Sequence, residues 1–151
     1  MKFTPSKINA FLLFKLPSAY LTGVRLASIK DNSCTVKVKY KWINQNPFKS
    51  MFWAVQGMAA ELSTGILVMK SIASSGKKIS MLVTNMNASF TKKATGKIQF
   101  DCIDGELIKK AIEKTIATGE GESFILTSEG KNEEGVTVSK FEFEWSVKLK
   151  K

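Results

Sequence analysis

Histidine is missing from this chain. That absence rules out Ser-His-Asp and Cys-His nucleophile systems, His-bearing zinc and iron sites, and any imidazole acid or base. Chemistry falls instead to carboxylates, amides, hydroxyls, lysines or the backbone. The carboxylate that stands out is Glu61. The first 100 residues hold 15 Lys/Arg and only two acids, Asp31 and Glu61. Asp31 belongs to Lys30-Asp31-Asn32-Ser33, whose residue types favour a turn. Glu61 lies inside the apolar run MFWAVQGMAAELSTGILVM at 51–69. On a helix its neighbours three and four residues away are Gly57, Met58, Thr64 and Gly65, so Ala54, Gly57, Glu61 and Gly65 form a stripe of small residues with one carboxylate in it. A glycine inside a helix costs about 1 kcal/mol against alanine. That cost makes sense if the helix must sit close to a sheet, with Glu61 reaching an edge or pairing with a lysine. It also makes sense if a ligand must approach the backbone, in which case burial would raise the carboxyl pKa and its basicity.

The elements that must position this stripe follow from periodicity. Thr4-Pro5 supplies an N-cap and a first-turn proline, and Ile8, Phe11, Leu12, Lys15 and Leu16 keep a helical rhythm up to Pro17. An amphipathic helix over about 5–16 is expected. Val24, Leu26 and Ile29 then precede the 30–33 turn. Val36, Val38, Tyr40 and Trp42 alternate with Lys37, Lys39 and Lys41, a strand with one apolar face and one lysine row. The 51–69 run approaches the ~20 apolar residues of a membrane span. Gln56, Glu61 and the alternating strands on both sides argue instead for a helix over about 51–70 buried in the middle of the fold. Strands are expected again at 78–90 and 96–103. Asp104 can cap an amphipathic helix over 106–117, which Gly119 and Gly121 end. A short strand at 124–128 and a polar turn at 129–135 lead to a last strand with Phe141, Phe143, Trp145, Val147 and Leu149 on one face. No repeat or linker divides the 151 residues. The expectation is one α+β domain over 1–151, with a curved, six-stranded, mostly antiparallel sheet wrapped around a long central helix.

Residues 1–100 carry a net charge of +13, residues 101–151 a net of −3, and the whole chain +10. A basic first two-thirds suits an anionic partner: nucleic acid, a membrane surface, or a phosphate-bearing small molecule such as a coenzyme A ester. It equally suits solvated strand faces. Cys34 and Cys102 show no ligand spacing and fall in strand patterns, so they are expected to be reduced core thiols in a cytoplasmic setting. Lys15 interrupts the N-terminal apolar stretch and argues against a secretory signal.

The layout resembles the hotdog fold, and the helix region is similar to the PaaI-like acyl-CoA thioesterases. Their signature is an Asn, five residues, His-Gly-Gly, six residues, then Asp or Glu. Here Asn46 is followed by five residues, then Phe52-Trp53-Ala54, and after six more by Glu61. The spacing is kept and the His-Gly-Gly is replaced. Phe90-Thr91-Lys92-Lys93-Ala94 resembles the aromatic-aliphatic-basic-Pro-Ala segment that ends the next strand, with Lys93 where the family has proline. The motifs cover roughly residues 20–103. The helix at 106–117 is an addition to the minimal pattern, closer to a thioesterase-like branch of the superfamily.

The resemblance implies a role for each matched residue. Glu61 would act as general base for water, or as nucleophile, at a thioester carbonyl. Asn46, contributed by a partner subunit, would orient the water or the substrate. The N–H groups of Trp53 and Ala54 would start the helix and form the oxyanion hole. Lys92 and Lys93 would meet coenzyme A phosphates, or simply form a solvated strand end. Independently of the resemblance, Gln56, one turn before Glu61, either contacts the acyl group or serves packing, with Gly57 leaving room beside Glu61. Phe48, Phe52, Trp53 and Phe90 either line an acyl tunnel or belong to the core. A homodimer or tetramer is implied, acting on an acyl-CoA-like substrate with no metal and no further cofactor. Two rivals stay open. The lost His-Gly-Gly admits a non-catalytic acyl or acyl-CoA binder on the same fold, and the lysine row admits a nucleic-acid binder. The second is disfavoured, because the strand aromatics face away from the lysines and no nucleic-acid signature is present. A helix-grip lipid-binding fold would place its long helix last, where this chain has a strand pattern.

Overall fold

Thr4 opens the first helix as its residue type predicts. In the computed structural model, which describes residues 2–151, its side chain accepts from the Lys7 N–H and α1 runs Pro5–Lys15. Pro17 does not end helical structure here. It takes the first turn of a second, short helix α2, Pro17–Leu21, a position where its missing N–H costs nothing. Strands β1 (Arg25–Ile29) and β2 (Cys34–Lys39) follow, then a single 3₁₀ turn at Trp42–Asn44 and the central helix α3, Trp53–Ser75. The rest is β3 (Ile79–Phe90), β4 (Lys97–Cys102), α4 (Gly105–Thr118), β5 (Glu122–Lys131) and β6 (Thr137–Leu149).

The six strands form one sheet in the order β1-β2-β4-β5-β6-β3. Every pairing is antiparallel. Helix α3 packs across β1, β2, β4, β5 and β6. Alternation does the positioning: Val36 and Val38 on β2, and Phe141, Phe143, Trp145 and Val147 on β6, turn inward and are buried. Two buried polar contacts fix the helix on the sheet. The Trp145 indole donates to Thr64 Oγ1 at 3.0 Å, and the Ser63 and Ser128 hydroxyls meet at 2.7 Å. The two glycines of the stripe pack on this face: a Cβ at Gly65 would stand 3.2 Å from the Trp145 ring, and one at Gly57 3.6 Å from Phe141. Among the described residues, no helix is long and apolar enough to cross a membrane.

Several expectations shift in detail. β2 ends at Lys39, so Trp42 does not continue its apolar face and is 82% exposed. The cause is Asn44, a buried amide that accepts from the Lys41 N–H and donates to the carbonyls of Lys39 and Thr22, turning the chain. Asp104 stands at the N-cap of α4 but does not cap it. Its carboxylate takes the Thr127 N–H at 2.8 Å instead. β5 is longer than expected, and the turn after it is narrowed by Asn132, whose side chain accepts from the Glu134 and Val136 N–H groups. Cys34 and Cys102 are buried and free as expected, and they face each other directly across β2 and β4. Burial pushes both thiols up to about 12.

Candidate functional site

Two cavities flank the first half of α3. The larger, about 530 Å³, gathers Asn46, Phe48, Phe52, Trp53, Gln56, Phe90, Lys92 and Lys93. Its outer wall is the loop between β2 and α3, and Asn46 builds that loop. The Asn46 side-chain Oδ1 accepts from the Phe48 N–H at 2.9 Å and the Ser50 N–H at 3.3 Å. Its amide donates to Ser50 Oγ and the Met51 carbonyl. A bridge between Gln45 and Met51 closes the loop. The Met51 N–H donates to the Ala94 carbonyl at 2.8 Å, hanging the loop on the β3–β4 connection. Lys93 Nζ adds a bond to the Phe48 carbonyl at 3.1 Å. Lys92 is exposed, and its ammonium has no protein partner among the described residues.

The start of α3 opens beside this cavity. Its N-cap, Phe52, has no side chain able to accept. The N–H groups of Val55 and Gln56 turn back to the Phe52 carbonyl, while among the described residues those of Trp53 and Ala54 find no acceptor. These are the orphan donors of a helix N-terminus, aligned with its dipole. Gln56, one turn on, is only 4% exposed. Its Nε2 donates to the Met51 carbonyl at 3.3 Å, and its Oε1 has no partner among the described residues. A buried amide oxygen left unpaired calls for a donor.

Glu61 does not share that cavity. It lines a second one of about 250 Å³ with Met58 and Leu62, roofed by Lys15, Leu16, Pro17, Ser18 and Ala19 from the α1–α2 corner. Lys15 does not pair with it. Among the described residues, no hydrogen bond or ion pair engages the Glu61 carboxylate, and burial pushes its pKa up. Ala54 and Gly57, both half-buried, line neither cavity. Glu61 follows Trp53 by eight residues, a separation of ~12 Å along the helix axis. One substrate carbonyl cannot reach both within one chain. The α1–α2 roof was not among the expected site residues. Pro17, read as a stop, is the signal that could have placed it.

The β3 edge bears on the same region. Met86, Ala88 and Phe90 pair with Phe143, Phe141 and Ser139 and so share their inward face. Phe143 and Phe141 are buried while Met86 and Phe90 stay exposed. Apolar side chains on the inner face of an unpaired edge are uncovered surface.

Compared with known proteins, the family described as Domain of unknown function (DUF4442) matches over residues 5–147. No curated protein matches the chain. Among solved structures, it is similar to a Pseudomonas aeruginosa protein of unknown function named a probable thioesterase, at 19% identity over 97% of each chain and a TM-score of 0.82. A Haemophilus influenzae thioesterase is 16% identical over 99% of this chain and 93% of its own, with a TM-score of 0.72. A Staphylococcus aureus thioesterase variant with a glutamine replaced by alanine is 13% identical over 83% of this chain and 93% of its own, at a TM-score of 0.64. A second variant of that protein replaces a glutamate fifteen positions later. At these identities the likeness is one of fold, the hotdog arrangement of a central helix in an antiparallel sheet.

Proposed function

The chain belongs to the DUF4442 family, and from that premise we propose that it hydrolyses an acyl thioester of the acyl-CoA type at a site shared by two copies of the chain. The observation that carries this reading is Glu61, a desolvated carboxylate that faces a cavity and has no partner among the described residues. Such a group holds a proton well and has nothing else to neutralise it. As general base it takes a proton from water while the water oxygen attacks the thioester carbonyl. The resulting oxyanion is met by the free N–H groups of Trp53 and Ala54 at the positive end of α3. Collapse breaks the C–S bond, and the thiolate leaves with the proton that Glu61 held.

The ~12 Å between Glu61 and those N–H groups is bridged if the donors come from a second copy. The uncovered inner face of β3 supports antiparallel pairing along that edge. Lys92, without a partner among the described residues, would meet the coenzyme A phosphates. The thioesterase names of the structural neighbours favour the same chemistry. So does the spacing, since Asn46 and Glu61 stand fifteen residues apart, as do the two positions exchanged in the S. aureus protein.

The test is turnover of an acyl-CoA panel of graded chain length by the wild type and Glu61→Gln. A loss of about 100-fold or more in kcat/KM with binding retained is expected, and equal turnover overturns the reading. One observation favours a non-catalytic acyl-CoA binder: the Asn46 amide is spent on its own loop, leaving it no free group for a water. Acyl-CoA binding with no turnover dependent on Glu61 would select that reading.

A further inference from the structure

We propose that the loop between β2 and α3 docks the protein on an anionic phospholipid bilayer. Trp42 and Ile43, side by side in the 3₁₀ turn and outside both cavities flanking α3, are 82% and 50% exposed. Side chains of this size left in water are unexplained by the core. The loop is braced, since Asn44, Gln45 and Asn46 each tie its backbone down. Trp42 and Ile43 are therefore presented by a fixed frame, with little backbone entropy left to lose on insertion. The bond from Asn44 to the Thr22 carbonyl at 2.9 Å also sets the α2–β1 corner, carrying exposed Leu21, against the loop.

The charge selects the partner. No acidic residue occurs between Asp31 and Glu61, while Lys39, Lys41 and Lys49 lie on or beside the loop and Lys93 is bonded to it. A tryptophan and an isoleucine at headgroup depth ringed by lysines fit a negatively charged lipid surface. An acidic protein would use the lysines but leave the tryptophan and isoleucine unexplained. Trp42 and Ile43 follow β2, on the opposite side of the sheet from the β3 edge, so pairing along that edge leaves them open. The inference stands independently of the hydrolase reading, because attachment does not require turnover.

The experiment is co-sedimentation of the full chain with vesicles of phosphatidylcholine alone and of phosphatidylcholine with phosphatidylglycerol. Binding is expected only to the anionic vesicles and should weaken as salt is raised. It should carry a blue shift of tryptophan emission that Trp42→Phe removes without abolishing binding. Trp42→Ser/Ile43→Ser should bind at least about tenfold more weakly, with thermal unfolding unchanged because both side chains are exposed. Lys41→Ala/Lys49→Ala should lose about 25-fold, roughly fivefold for each lysine near the surface. Failure of the wild type to bind anionic vesicles, or equal binding by the Trp42/Ile43 variant, overturns the proposal. Two further results overturn it in favour of another occupant. A smaller sedimentation coefficient for that variant would give the face to a second copy, and salt-sensitive RNA retention without vesicle binding would give it to nucleic acid.

Discussion

Glu61 is held where ionising it costs desolvation, and among the described residues no neighbour offsets that cost. For a carboxyl whose folded pKa is raised, the sign is unambiguous. Below the unfolded pKa both states are protonated and the burial carries no charge penalty; as pH rises through the folded pKa, the native state alone bears the penalty. Glu61→Gln is therefore expected to melt higher than the wild type at neutral pH, with the gap closing in acid, as thermal unfolding across pH would show. The same shift sets activity. Turnover should rise with pH on an apparent pKa above the ordinary glutamate range, and a profile with no such step would remove Glu61 as the base. Gln56 makes a separate prediction. Replacing it with methionine removes a buried unpaired oxygen along with one weak donor bond, so stability should hold within about 1 kcal/mol or rise. If that oxygen meets the substrate, KM for acyl-CoA should climb while kcat changes less.

Among the elements, the glycines of α3 and α4 separate packing from access. Gly105 begins α4 against the β1–β2 turn, where its N–H donates to the Asn32 carbonyl at 3.2 Å. A Cβ there would stand 2.3 Å from the Asn32 backbone, so the turn or the helix must move. Gly105→Ala should lose about 2 kcal/mol or more, lowering Tm by roughly 2–4 °C per kcal/mol. Gly57 is the contrast. Its added Cβ meets Phe141 at an ordinary 3.6 Å, and alanine gains about 1 kcal/mol of helix propensity. Gly57→Ala is expected to hold or raise Tm. A fall in kcat/KM in that stable variant would mean that an acyl group passes against the α3 backbone, whereas unchanged kinetics would leave Gly57 a packing residue.

For the whole molecule, the deciding feature is that α3 covers the sheet out to β6 and leaves inner-face residues of β3 uncovered. Sedimentation velocity should find a dimer. Met86→Lys should yield monomers that keep Glu61 yet lose turnover, because the oxyanion donors would no longer arrive from a second copy. Monomeric wild type with full activity would break the shared-site reading.

The sequence by itself determined the order of the six strands, of the central helix and of the helix after β4, the inward faces of β2 and β6, and the singular place of Glu61 as a carboxylate in an apolar run. The short helix after Pro17 and the lack of a partner for Glu61 among the described residues came only from the structure. Period and residue type act through local backbone geometry, and the neighbours along the chain suffice to express them. It did not determine where β2 stops, because one buried amide, Asn44, reaches across to Thr22 to turn the chain. The strand order, the opposition of Cys34 to Cys102 and the placing of Asn46 and Glu61 in separate cavities were likewise decided only by the tertiary structure. Each depends on which distant surfaces pack together, and a spacing of fifteen residues says how far apart two groups are along the chain, not which space they face.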